Sequence, residues 1–233
     1  MFTGLVEATG TLRSIQPTAG ATRLVIDAPT FAGRWKQGDS IAVNGVCLTA
    51  IPLGTAGSGL QAFAADLAEE TVHRTTLASL RPGSLVNLEL PTPAGAPLGG
   101  HVVQGHVDGT GTLVSLLAVS PDLETTDWRM TLQLPPELNG FVIAQGSITI
   151  DGISLTVAKV HPVDAAGHVR IEIAVIPHTW RSTHLHTLAA GALVNIEADV
   201  LSKYAEQRAA ASGGTAESKT EWLTGSYLLA NGY

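Results

Sequence analysis

Two short runs in this chain carry residue types that move protons and attack carbon. Val46-Cys47-Leu48-Thr49 offers a thiol and a hydroxyl two residues apart. Ile153-Ser154-Leu155-Thr156 offers two hydroxyls at the same spacing. On a strand, residues i and i+2 face the same side, so each pair can point into one pocket. An imidazole stands at His106, where Gly105-His106-Val107 answers an earlier Gly4-Leu5-Val6. The histidine replaces a leucine there and breaks an otherwise close repetition, which favours it as an acid–base residue. A thiol, hydroxyls and an imidazole within hydrogen-bond reach can assist proton abstraction and nucleophilic addition. The structural alternatives are a satisfied histidine at His106 and a small buried hydrophobe at Cys47. His101, in the same Gly-His-x-x-x-Gly-His run, could serve turn packing alone.

These residues recur because the chain is duplicated. The twelve residues from Gly4 return from Gly105 with seven identities. Asn44-Gly45-Val46-Cys47-Leu48-Thr49 returns as Asp151-Gly152-Ile153-Ser154-Leu155-Thr156. Residues 70–89 return as 178–197, closing on Leu85-Val86-Asn87-Leu88-Glu89 and Leu193-Val194-Asn195-Ile196-Glu197. The offset is 101, then 107, then 108 residues. A period this long marks a duplicated domain, since solenoid units repeat every 20–50 residues or so. Two copies imply two related pockets. Glu70 faces His178 in the alignment, a second break in symmetry that loop variation explains about as well. The recurring Asn87/Asn195 and Asn44/Asp151 rank below the hydroxyls, as turn or barrel-closing groups.

The elements that must position these groups are short strands. Leu24–Asp27, Ser40–Val43, Leu85–Leu90, Ser147–Ile150 and His168–Val175 alternate or run apolar. Asn44-Gly45 and Asp151-Gly152 are tight-turn signals, because Asn, Asp and Gly tolerate positive φ. Many short strands so punctuated predict a small barrel or sandwich per copy. Residues 68–72 and 178–182 can each start a helical turn. The Pro/Gly-rich stretch 91–100 is the best linker, giving copies over 1–97 and 98–200 and a tail over 201–233. Leu201–Ala211 reads as a helix, broken by Ser212-Gly213-Gly214, with a second helix expected over 218–230. The tail could pack on a partner subunit or on its own barrel.

Totals exclude several function classes. Of 233 residues, 45% are hydrophobic and 14% charged, leaving room for buried strands or a subunit interface. A net charge of −7 argues against nucleic acid and against anionic membrane surfaces. One cysteine cannot form an intramolecular disulfide, which fits a reducing compartment. No apolar run reaches the roughly 20 residues of a membrane span. The first residues lack the basic and apolar regions of a secretory signal. The expectation is a cytoplasmic protein with no membrane partner.

The repeated motifs resemble those of riboflavin synthases. The marks are Met1-Phe2-Thr3-Gly4-Leu5-Val6-Glu7, the run Gly38 to Thr49, Gly99-Gly100-His101 through Gly109, the run Ser147 to Thr156, and Ile176-Pro177-His178-Thr179. They occur in the family's order over essentially the whole chain. The resemblance implies an all-β protein: two six-stranded Greek-key barrels, a C-terminal helix and a homotrimer, with lumazine synthase as a further candidate partner. It implies that two molecules of 6,7-dimethyl-8-ribityllumazine meet between the first barrel of one subunit and the second barrel of its neighbour. One would give four carbons to the other, yielding riboflavin and 5-amino-6-(D-ribitylamino)uracil. No cofactor or metal is implied, since the electrons stay within the pair.

The resemblance also assigns residues. Phe2, Ser40, Cys47 and His106 fall where the family acts on the reacting pair. Cys47, Leu48, Thr49, Asp66, Ala68, Glu70 and Thr71 match its contacts to one ligand, and Ser154, Leu155, Thr156, Ile176, Pro177, His178, Thr179 and Arg181 its contacts to the other. Gly4, Leu5, Val6, Gly105, His106 and Val107 would offer backbone groups to the pterin edge, and Gln145 completes the set. Many members carry a lysine at the place of Gln145; the amide can hydrogen-bond but supplies no charge. One rival reading is a non-catalytic lumazine- or flavin-binding antenna of the same fold. Such proteins tend to lose ligand-lining residues in one repeat, whereas Phe2, Cys47, His106, Ser154 and Thr156 are all here. Another is a twin-barrel interaction module without ligand.

Overall fold

The computed structural model describes residues 1–31, 34–53 and 62–211. The helix expected over 218–230 lies outside the described residues. The first copy contributes β1 (Ala8–Thr18), β2 (Ala21–Asp27), β3 (Ser40–Val43), β4 (Val46–Thr49), β5 (Ile51–Leu53), β6 (Ala62–Leu67) and β7 (Leu85–Glu89). The second contributes β8 (Gly109–Ala118), β9 (Trp128–Leu134), β10 (Ser147–Ile150), β11 (Ile153–Val160), β12 (Val169–Val175) and β13 (Leu193–Ala198). Among the described residues, three α-helices, α1 (Glu69–Arg74), α2 (Pro177–Ser182) and α3 (Val200–Ala211), join four short 3-10 turns.

The second copy is a closed six-stranded barrel, β10-β11-β12-β9-β8-β13, with antiparallel ladders throughout. The first is a curled seven-stranded sheet, β4-β3-β7-β1-β2-β6-β5. Its extra strand comes from a break. Where β11 runs unbroken through a bulge between Val157 and Lys159, the first copy leaves the ladder at Ala50. β4 pairs with β3, and β5 pairs with β6. The two edges of the curled sheet are thus joined through one residue. A further bulge recurs at matching places, between Leu12 and Ser14 and between Leu113 and Ser115.

Alternating apolar positions turn inward and make one core per copy. Leu12, Leu24, Ile26, Ile41, Phe63 and Leu88 fill the first, and Leu113, Leu132, Ile148, Ile171, Ile173 and Ile196 the second. Both tight turns form as the sequence predicts. Asn44 and Gly45 take φ of 44° and 77°, and Asp151 and Gly152 take 44° and 80°. Two positive φ values define the two-residue hairpin turn whose twist suits its strands.

These two turns meet back to back. A Cβ on Gly45 would lie 2.6 Å from the Gly152 nitrogen, so only glycine allows the approach. Asparagines lock the junction in a near-symmetric network. Asn87 Nδ2 donates to the Asp151 carbonyl and Asn195 Nδ2 to the Asn44 carbonyl, both at 2.9 Å. Asn44 Oδ1 accepts from the Asn87 amide, and Asp151 Oδ1 from the Asn195 amide. Asn87 Oδ1 accepts from the His184 amide, and Asn195 Oδ1 from the Thr76 amide. These side chains hold the copies to each other as well as closing turns.

α3 begins on its own barrel. Lys203 Nζ lies 2.7 Å from Asp108, whose carboxylate also accepts from the Ala198 amide. Leu201 and Tyr204 remain exposed at 70% and 66%, so the helix also presents an apolar face outward.

Candidate active site

The segment that opens each copy crosses to the other copy. Phe2 and Val103 pair as an isolated antiparallel bridge, with N–O distances of 2.8 and 3.1 Å. The Cys47 amide donates to the Gly105 carbonyl at 2.9 Å, and the Ser154 amide donates to the Gly4 carbonyl at 2.7 Å. Val107 packs on the first core and Val6 on the second. Each crossing needs glycine: a Cβ on Gly4 would stand 2.6 Å from Ser154 Cβ, and one on Gly105 2.6 Å from Cys47 Cβ. Buried carboxylates anchor the crossings from the ends of β7 and β13. Glu89 accepts from the Thr3 and Gly4 amides and the Thr3 hydroxyl. Glu197 accepts from the amides of Gln104, Gly105 and His106. Burial pushes both carboxyls above their usual range, against the pull of those hydrogen bonds.

The exchange brings Cys47 and His106 into one cavity of about 180 Å³. Its walls are Val46 and Cys47 from β4, Glu70, Thr71, Arg74 and Thr75 from α1 and its end, and Gly105, His106 and Val107 from the crossing segment. Thr71 is held as part of a capped turn, since Thr75 Oγ1 donates to its carbonyl. Glu70 forms an exposed ion pair with Arg74, which holds its carboxyl below the usual range. His106 and its counterpart Leu5 both point out to solvent, Leu5 at 50% exposure. Leu5 instead lines a different cavity of about 410 Å³ with Trp35, Glu89, Pro91 and Pro97.

Phe2 is fully buried, packed with Ala42, Val103 and Cys47. Cys47 is half-buried and Thr49 exposed, while Leu48 between them turns into the core at 5% exposure. Ser154, Leu155 and Thr156 repeat this alternation. The outer face therefore carries Cys47 and Thr49, or Ser154 and Thr156, as the strand period requires. The side chains of Leu48 and Leu155 belong to the barrel interiors. Ser40 stands opposite Thr49 in the β3–β4 ladder, half-buried.

Other expected residues lie apart from the Cys47 cavity walls. Asp66 is held by Arg23 in a two-pronged pair at 2.7 Å, which lowers its carboxyl. Ala68 is the exposed residue before α1. Ile176, His178 and Arg181 are exposed, with Pro177 and Thr179 half-buried, on and before α2. α2 is fixed by Trp180, which stacks on Trp128 with ring centroids 3.7 Å apart. Arg181 donates to the Glu124 carbonyl. Gln145 adopts φ +65°, at the place held by Gly38 in the first copy. Its amide donates to the Val157 carbonyl, as Gly38 does to Ala50.

Sequence reasoning missed Arg74 and Thr75 in the cavity wall. The i, i+4 spacing from Glu70 was the available signal. It also left Glu89 and Glu197 without a role, although their recurrence at buried strand ends marked them.

A scan of family models finds a lumazine binding domain twice, over residues 3–91 and 104–199. The chain is 41% identical over 214 residues to a riboflavin synthase of Mycobacterium tuberculosis, covering 91% of this chain and all of that one. It is 35% identical to a riboflavin synthase of Bacillus subtilis over the full length of both. Among solved structures it is similar to LumP complexed with 6,7-dimethyl-8-(1'-D-ribityl) lumazine. That match has a TM-score of 0.67 and 23% identity, over 85% of this chain and 99% of that one, and speaks for the fold. With two matched repeats spanning both sheets, the chain belongs to the lumazine-binding domain family.

Proposed function

We propose that the protein is a riboflavin synthase, dismutating two molecules of 6,7-dimethyl-8-ribityllumazine into riboflavin and 5-amino-6-(D-ribitylamino)uracil. The carrying observation is the reciprocal exchange of opening segments. It sets Cys47 beside Gly105-His106 in one half and Ser154 beside Gly4-Leu5 in the other. Two like sites suit a reaction of two like molecules. Identity of 41% to a riboflavin synthase over most of the chain supports the same reading.

The reaction moves four carbons from one ligand to the other. One molecule loses a proton from its 7-methyl group, and the partner is opened by nucleophilic addition at its own C7. Holding both ligands face to face supplies about 7–11 kcal/mol of barrier lowering. His106, Cys47 and Ser40 assist the proton transfers and the addition, and Phe2 shapes the wall behind Cys47. Thr49, Glu70 and Thr71 bind one ligand; Ser154, Thr156 and residues 176–181 bind the other, with Gln145 nearby.

The cavity at Cys47 is smaller than the roughly 300 Å³ at which small-molecule sites begin. A second subunit would complete it, which supports an assembly with each reacting pair between neighbours; that the assembly is a homotrimer is proposed on the family resemblance. Cytoplasmic location is proposed on the lone cysteine and the biosynthetic role. Lumazine synthase is a proposed partner on family resemblance alone.

The test is direct. Purified protein should convert dimethylribityllumazine with no added cofactor, lumazine fluorescence falling as riboflavin fluorescence rises. Tight binding without turnover would make the protein an antenna, and no binding would leave an interaction module.

A further inference from the structure

The two halves differ in what stands behind the residue they share. In the first, Cys47 is packed with Phe2, Ala42 and Val103, all apolar neighbours. In the second, Ser154 Oγ lies 2.7 Å from His101 Nδ1, and His101 Nε2 lies 3.2 Å from Thr149 Oγ1. Thr149 is the counterpart of Ala42, and Ser154 of Cys47. A hydroxyl–imidazole–hydroxyl chain therefore exists in one copy, where the other has a greasy wall.

The backbone fixes His101 closely. Its amide donates to the Thr3 carbonyl, and a Cβ on the preceding Gly100 would stand 2.0 Å from that carbonyl oxygen. The imidazole is buried, flanked by β10 through Thr149 and by β11 through Ser154. Asp199, just before α3, is the charged group whose field reaches it, favouring the imidazolium, while burial outweighs that and keeps the ring neutral. Ser154 itself is half-buried, at the end of the chain that faces outward.

We propose that His101 is a positioning residue that makes Ser154 the proton acceptor of the second pocket. The inference rests on the riboflavin synthase reading. In the working tautomer Nε2–H donates to Thr149 Oγ1, and Nδ1 accepts from the Ser154 hydroxyl. A C–H bond of the ligand's 7-methyl group breaks, and its proton goes to Ser154 Oγ. Ser154's own proton passes to Nδ1, leaving an imidazolium between the two hydroxyls and a carbanion on the ligand. No electrons leave the ligand pair. The proton returns to the pair later in turnover, so His101 ends neutral. The molecule in the second pocket is therefore the one deprotonated, and its partner beside Cys47 the one opened by addition.

The experiment compares wild type with His101→Gln, Ser154→Ala and the double variant. It measures kcat, the pH–rate profile and riboflavin affinity by fluorescence quenching. Glutamine can hydrogen-bond Ser154 but cannot take up its proton. Each single variant should lose about 100-fold in kcat, and His101→Gln should keep riboflavin affinity within about threefold of wild type. The double variant should be no slower than Ser154→Ala, as expected of residues acting as one unit. Wild-type rate should fall on acidification as His101 protonates, and Ser154→Ala should flatten that limb. Full kcat in either single variant, or losses that multiply, would overturn the relay. Should His101→Gln fail to fold, Ser154→Ala with its pH profile still decides. Wild type that binds but never turns over would instead sink the functional reading itself.

Discussion

Glu89 and Glu197 do the same work at matching strand ends, each gathering the donors of a crossing segment. Both carboxyls are raised by burial, so the folded chain binds their protons more tightly than the unfolded chain does. Their share of stability is full below the unfolded carboxylate value and is lost as pH rises through the raised one. The stability of wild type relative to Glu197→Gln should therefore be greater near pH 5 than at pH 7 in urea denaturation; the reverse order would refute the assignment. His106 is exposed, and among the described residues its hydrogen bond runs from the backbone amide to Glu197. His106→Ala should lower kcat by about 100-fold while changing stability by less than about 0.5 kcal/mol, read by turnover and melting together. Cys47→Ser differs, because it places a hydroxyl against Phe2, Ala42 and Val103. It should lose activity and about 1–3 kcal/mol of stability. The alternation of Cys47, Leu48 and Thr49 was readable from the strand period. The same period sends the side chains of Leu48 and Leu155 inward.

At the level of elements, the two hairpin turns were readable because Asn-Gly and Asp-Gly have few other uses between apolar runs. That the turns face each other was not, since nothing local in Gly45 or Gly152 names its distant neighbour. The asparagines behind them were read as turn groups, yet they reach across. Asn87→Ala would strand the Asp151 carbonyl and the His184 amide. It should cost about 2–4 kcal/mol, measured by denaturant unfolding. The break at Ala50 was equally hidden. Residues 46–53 look like one strand, and only pairing with both β3 and β6 divides them. Gly4→Ala should damage the second half selectively, because its Cβ would collide with Ser154 at a φ of +74°. The expected readout is weaker riboflavin binding together with a lowered melting temperature.

For the molecule as a whole, duplication was the plainest message of the sequence, and both sheets follow it. The tail's partner was left open, and α3 answers in part: Lys203 ties it to Asp108 of its own barrel, while Leu201 and Tyr204 stay bare. A chain ending at residue 199 should lose the proposed trimer, giving a smaller mass by light scattering. An unchanged mass would place the contact elsewhere. The proposed boundary between residues 97 and 98 has an odd property, because the opening segment of each half it defines, around Gly4 in one and Gly105 in the other, belongs spatially to the opposite sheet. Cutting there would give each fragment a leading arm with nowhere to lie and a bare patch where the other's arm had been. Two identical fragments could cure both defects by clasping arms, so a gene for one half would be expected to yield a two-fold pair rather than a monomer. Fusion of such a pair into one chain would then free each arm to diverge, which is the circumstance in which His106 and Leu5 could come to differ.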